Sequence, residues 1–209
     1  VPGALAWREQ QLQIGLTGML TAPTDSGAVN VETGELTLVS GTDQLIAKTV
    51  RPADNLVPHD VLPIQITAHG GVDSWASRLS WLLPLADWKL QGNLQLTANA
   101  EVSRDQIRIA SSQCDIFNLI ADGPGGFLQE QHAQLTAVGR WAPAEQRLEG
   151  TVLTAATDKW SMRGDDVTLR RPPSETPTLT GRFALKTASR NTLNSLRAAR
   201  DRRERGVRG

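Results

Sequence analysis

The stretch LQGNLQLTANAEV at residues 90–102 puts Leu90, Gly92, Leu94, Leu96, Ala98, Ala100 and Val102 on one side of a two-residue period. Gln91, Asn93, Gln95, Thr97, Asn99 and Glu101 take the other. Successive side chains of an extended strand point to opposite faces, so this pattern predicts a strand with one apolar and one polar face. It is held for thirteen residues, where a usual strand has about five or six.

The same period recurs along most of the chain. Leu12, Ile14, Leu16, Gly18 and Leu20 alternate with polar residues before the turn APTDSG. Val29 and Val31, then Leu36 and Leu38, flank ETG, and the QLIAKTV stretch around Ile46 and Val50 continues the pattern before the loop RPADNLVPHD. Leu62, Ile64, Ile66 and Ala68 share a face before HGG. Ile107 with Ile109, then Ile116 with Asn118 and Ile120, read as two shorter strands before DGPGG. Ala133, Leu135, Ala137, Gly139 and Trp141 form another face, and strands follow near 147–154, 158–169 and 179–187. The total is about eleven strands.

One helix interrupts them. Asp73 or Ser74 can cap a segment near 74–83 in which Trp75, Leu79, Leu82 and Leu83 fall at helical spacing, and Pro84 stops it. A weak echo links LQGNLQLTA at 90–98 with LTGRFALKT at 179–187, through a shared frame Leu-x-Gly-x-Leu/Phe-x-Leu. GELTL at 34–38 repeats its core. Any amphipathic strand with a glycine can match this frame, so it raises a repeating architecture without establishing one.

Lengths constrain how such strands can pack. Thirteen residues span roughly 44 Å, and eleven strands about 4.8 Å apart make a sheet roughly 50 Å wide. A ten-residue helix covers on the order of 150 Å² of a face of order 2,000 Å². A monomer seldom leaves more than about 300–600 Å² of contiguous apolar surface open. The apolar face therefore folds on itself or binds something apolar. The expected fold is mostly β: a long antiparallel curved sheet, or β-groove, with one short helix. The alternative is a closed β-sandwich.

Composition narrows the function classes. The chain has 209 residues, 39% of them apolar, and a formal net charge of zero, which argues against bulk disorder and wholesale nucleic-acid binding. From Ser189 onward seven arginines face Asp201 and Glu204, giving a tail of +5 (7 − 2) against −5 in the remainder. The tail carries only Leu193 and Leu196 as an apolar stripe and no interleaved aromatics, so we expect no nucleic-acid partner. Residues 1–188 read as an antiparallel β domain and 189–209 as a disordered or short helical tail. The single Cys114 reports nothing on redox compartment. No run approaches eighteen apolar residues, and the start VPGALAWREQ has no basic region followed by an apolar stretch. We expect a piece of a longer chain whose anchoring segment lies elsewhere.

Catalytic chemistry finds little support. His59, His69 and His132 lack paired metal-ligand spacing, and no Cys-His or Gly-x-Ser-x-Gly arrangement occurs. Cys114 has no basic neighbour to activate it and reads as a small core residue. Asp165 and Asp166 are adjacent on a strand and should point to opposite faces, while Asp105 and Asp122 sit at turns. We expect no enzyme, no cofactor and no metal. Trp75, Trp81 and Trp88 around the helix and Trp141 at a strand end suit helix-to-sheet packing or a groove lip.

The helix DSWASRLSWLLPL running into DWKLQGNLQLTANAEVSRDQIRIASSQCDI, the GPGG turn and AQLTAVGRW together resemble the AsmA-like and TamB-like envelope proteins over about residues 72–187. The resemblance implies a bridge-like lipid transfer protein of the periplasm, built from long antiparallel strands around an apolar groove. It also implies an inner-membrane anchor at the N-terminus. The chain departs from that pattern in having no membrane helix and in its arginine-rich end. The implied partners are lipid acyl chains, and a membrane reached through a segment outside this chain. Candidate lining residues are Leu90, Leu94, Leu96, Val102, Ile107, Ile109, Leu135, Phe183 and Leu185. The competing expectation is that these residues fill the core of a β-sandwich module for protein interaction in an envelope assembly.

Overall fold

The computed structural model describes residues 11–21, 29–56, 60–79, 87–124, 126–170 and 178–187. Its elements are β1 (Gln13–Thr21), β2 (Val29–Ser40), β3 (Asp43–Thr49), β4 (Ala53–Leu56), β5 (Leu62–Gly71), α1 (Val72–Arg78), β6 (Lys89–Val102), β7 (Ile107–Gly123), β8 (Gly126–Ala142), β9 (Arg147–Thr157), β10 (Trp160–Arg170) and β11 (Thr178–Thr187). All eleven strands belong to one sheet, in the order β1-β2-β3-β5-β6-β7-β8-β9-β10-β11 with β4 beside β2. Every pairing is antiparallel. Each strand of that path pairs with the next one in the path, which is a meander broken only by α1 and the β4 excursion.

The sheet is open, and among the described residues no second layer faces it. The closed sandwich is thereby excluded. Burial is correspondingly thin. The buried apolar residues are chiefly small ones, Ala68, Ala98, Ala100, Ala121, Ala133 and Ala155, with Val72, Val167 and Leu169. No described side chain is fully buried. An alanine on a strand is covered by its cross-strand and diagonal neighbours, whereas a leucine tip ordinarily needs an opposing layer; Leu169, set between Leu148 and Leu179, is the exception.

Three local expectations are corrected. The stretch read as two short strands is one of seventeen residues, β7. Its register against β6 shifts twice, between Asn99 and Ala100 and between Gln91 and Asn93, so the apolar phase flips twice along it. The second shift lies at Asn118, whose φ of 54° is left-handed, opposite Gly92 with φ of 128°. As a result Ile120 pairs with Gln91 on the polar face, and Ala121 takes its place beside Leu90. The loop RPADNLVPHD also contains β4. Finally, α1 begins at Val72 with Gly71 as its N-cap and no side-chain cap. Asp73 sits in the first turn, where its charge meets the helix dipole, instead of capping it. The continuation through Leu82, Leu83 and Pro84, together with Trp81, His59 and the arginine tail, lies outside the described residues.

The irregularities of the larger half line up. Register shifts fall between Asn99 and Ala100 of β6, Ile109 and Gln113 of β7, Val138 and Gly139 of β8, and Asp165 and Thr168 of β10. They form a transverse seam through neighbouring strands. Bulges bend a strand and sharpen its twist, so a row of them curves the whole sheet. Ser112 repairs the widest gap: its Oγ accepts the Ala137 N–H at 3.0 Å and donates to the Ala137 carbonyl at 3.0 Å, replacing a missing ladder bond.

Candidate functional site: an apolar band across the sheet

The registers connect one residue of each strand on the sheet path into a continuous row. It runs Ile14, Leu38, Leu45, Ala68, Leu96, Cys114, Leu135, Ala155, Met162, Leu185. No polar residue interrupts it. Nine strand spacings of about 4.8 Å make this row roughly 43 Å long. A parallel row joins Leu16, Leu36, Ala47, Ile66, Ala98 and Ser112. Beyond the seam it continues through Ala137, Leu153, Gly164 and Phe183. Its one polar member, Ser112, has its hydroxyl occupied by Ala137. Nearer the far strand ends, Leu62, Val102, Ile107, Trp141, Leu148, Leu169 and Leu179 form another row.

Every lining residue expected from the sequence falls on this face. Leu96, Leu135 and Leu185 share the first row, Phe183 closes the second, and Val102 and Ile107 belong to the last. Leu94 pairs with Ile116, Leu90 with Ala121, and Ile109 with Ala100 and Gly139. The sequence reading missed the β1–β3 contribution, Ile14, Leu16, Leu38 and Leu45. The signal was present in the alternation of β1 and β2, but in β3 the phase read from Ile46 and Val50 is corrected: Ile46 pairs with Thr37 and Thr67 on the polar face, and Leu45 joins the row. From the Leu94 row to the Val102 row is about 27 Å along β6, so the band covers on the order of 1,000 Å². That exceeds the about 300–600 Å² largest patch of an ordinary monomer.

The opposite face is built for water. Glu101, Arg108, Arg140 and Glu149 stand in one cross-strand row, with Arg108 Nη1 donating to Glu101 at 3.0 Å and Arg140 paired with Glu149. Lys48 reaches Glu35 at 3.0 Å, and the pairing lowers the Glu35 carboxyl below its ordinary value. Asp115 gathers Gln113, His132 and Gln134 around its carboxylate, and the Gln113 bond in particular lowers its pKa. Opposite charges facing each other across strands favour this register and this face outward.

One end of the apolar band is bordered by α1. Asp43 accepts the Gly71 N–H at 2.8 Å and pairs with Arg78 at 2.8 Å, and Arg78 lies 4.8 Å over the Trp75 ring. Trp75 Nε1 donates to the His69 carbonyl. These ties fix α1 beside Leu12, Leu38 and Val39 and enclose a cleft of about 280 Å³. Trp88 lies over Gly123, leaving no room there for a side chain. Trp75, Trp88, Trp141 and Trp160 thus edge or join the apolar surface, while Trp7 and Trp81 are outside the described residues.

Cys114 sits midway along the first row, and burial, reinforced by the Asp115 charge, pushes its thiol up to about 11. A thiol held protonated is a lining group and not a ready nucleophile. Asp165 and Asp166 depart from the expected opposite orientation. Asp166, left-handed at φ 53°, pairs with Arg182, whose charge also lowers the Asp165 carboxyl after the larger effect of Arg163. Both carboxylates are therefore tied up in ion pairs. Among the described residues no group of three or more His, Cys, Asp and Glu is placed to hold a metal, and no helix is long and apolar enough to cross a membrane. Comparison with family models, curated proteins and solved structures returns no match.

Proposed function

We propose that this chain is a non-catalytic, lipid-binding or lipid-conducting β-groove segment of a cell-envelope protein of the AsmA-like and TamB-like kind, working in the periplasm and anchored to the inner membrane by a segment outside this chain. The observation that carries this reading is the uninterrupted apolar row across the ten-strand path, with no second layer over it among the described residues. Acyl chains laid on that face would shed water at about 0.8 kcal/mol per methylene, and headgroups would stay in solvent. Such binding needs no directed polar contact, so selectivity among acyl chains is low. Phospholipid movement between membranes, in support of outer-membrane assembly, is the task this surface fits.

The test is organic extraction of the purified chain followed by mass spectrometry, with titration of a fluorescent acyl probe. Bound phospholipid and saturable probe uptake are expected, and Leu135→Arg, a charge in the middle of the row, should reduce uptake at least about tenfold through loss of buried apolar contact. A lipid-free protein that ignores the probe would sink the reading in favour of an apolar face that docks protein.

A further inference from the structure

Among the described residues the outer edges of β1 and β11 pair with no strand. Free edges are ordinarily guarded by charge, proline or a bulge, because they template pairing with another chain. β1, QIGLTGMLT, has no charged residue and no proline, and every one of its residues is exposed. Ile14 is 64% and Leu16 79% exposed at that edge, and Phe183 is 50% exposed at the other.

The two edges match each other. The first apolar row ends at Ile14 on one side and Leu185 on the other, and the second ends at Leu16 and Phe183. A single antiparallel register that sets Ile14 beside Leu185 also sets Leu16 beside Phe183, Gly18 beside Gly181 and Leu20 beside Leu179. It places uncharged Thr17 beside Arg182 on the polar face. The path holds an even number of alternating strands, so β1 of a second copy meets β11 of the first in the antiparallel sense without a break in the alternation.

We propose that copies of this chain associate head to tail, β11 of one pairing with β1 of the next, so that the apolar band runs on across the junction. The contact is heterologous, and repetition gives a ring where the sheet's rotation closes and a filament where it does not. The inference rests on edge geometry and holds whatever the band carries, so its test is separate from the lipid assay.

The experiment uses the full chain with Cys114→Ser as background. Thr17→Cys in one preparation and Arg182→Cys in another are mixed and treated with a short bis-maleimide, while light scattering follows mass against concentration. The proposal expects assembly that grows with concentration and a crosslinked dimer only in the mixture of the two variants. Thr17→Lys, which faces Arg182 with like charge, should raise the dissociation constant about three- to fivefold, and Thr17→Glu should lower it by a similar factor, both effects fading in salt. A monomer at every concentration would overturn the proposal. So would assembly without the mixed crosslink, or a crosslink formed within one chain of the double variant Thr17→Cys/Arg182→Cys.

Discussion

The central strands β5–β10 and the edge strand β1 carry the same two-residue alternation, yet the apolar side behaves differently in each. In the centre Ala68, Ala98, Ala100, Ala133 and Ala155 are buried, while at β1 Ile14, Leu16 and Leu20 are mostly exposed. Among the described residues cover comes chiefly from lateral neighbours, with α1 packed mainly against β5 and β6, and small side chains take full advantage of it. Most large side chains stand above that cover, buried Leu169 of β10 excepted, and at an edge half of their neighbours are missing. Among the described residues the sheet is held together along its strands, and no second layer fills its broad face.

The same charge placed in both regions separates them most. Ala100 is 3% exposed between Ile64 and Ile109, so Ala100→Asp must strip a carboxylate of water among aliphatic neighbours. It should cost about 3 kcal/mol or more, or abolish folding. Leu16→Asp at the edge should change stability by no more than about 0.5 kcal/mol, measured at low protein concentration. Urea midpoints of the two variants read the difference, and equal losses would mean that the apolar face is covered after all.

A smaller effect separates glycines at the two places. A Cβ at Gly139, on the seam, would lie 2.1 Å from the Glu149 carbonyl oxygen of the neighbouring strand. Backbone cannot step aside as a side-chain tip can, so Gly139→Ala should cost about 2 kcal/mol. At Gly15 the nearest atom to an added Cβ is the Thr37 Cβ at 3.8 Å, an ordinary contact. Gly15→Ala should therefore be neutral or slightly stabilising, as replacing a strand glycine removes unfolded-state freedom. Thermal melts of the pair check the ranking.

Much of this fold was legible where pattern and register agree. In β6 the alternation from Leu90 to Val102 is unbroken in sequence, and its face, length and neighbours follow from it. β7 was illegible as one strand because alternation is read along a single strand, whereas a bulge is a relation between two paired strands. The shifts near Asn99 and Asn118 turn Ile107, Ile109, Cys114, Ile116 and Ala121 into one face while their numbering changes parity. β4 hid between prolines, where the turn signals around Arg51 and Pro58 outweighed four residues of strand. The echo between 90–98 and 179–187 gains a physical meaning. Gly92 and Gly181 both have positive φ, and each lies at a register shift with a left-handed residue, Asn118 or Asp166, in the partner strand. The shared frame marks the same bend device in the two places. The apolar face as a whole could be predicted strand by strand, but its continuity from Ile14 to Leu185 depends on ten strands keeping step, which no single strand reveals.

Cys114 is a reporter in the middle of the row. Burial favours its neutral form, pushing the thiol from an ordinary 9.0 up to about 11. At pH 8 the thiolate fraction, and with it the alkylation rate, should fall about a hundredfold below that of an exposed thiol. A cysteine at the edge, Leu16→Cys with Cys114→Ser, should react at nearly the rate of a free thiol, so iodoacetamide kinetics measure both on one scale. The stability consequence has a definite sign. The folded pKa lies above the unfolded one, so the contribution is whole below about 9 and is lost as pH climbs toward about 11. Between those values the wild-type chain should lose stability relative to Cys114→Ser, whose hydroxyl does not titrate there. The loss is modest because Cys114 is only half-buried and water partly screens its thiolate. A Cys114 that reacts as fast as the edge cysteine would show water standing on the centre of the band as freely as on its rim, and the distinction between centre and edge would fail at the row that defines it.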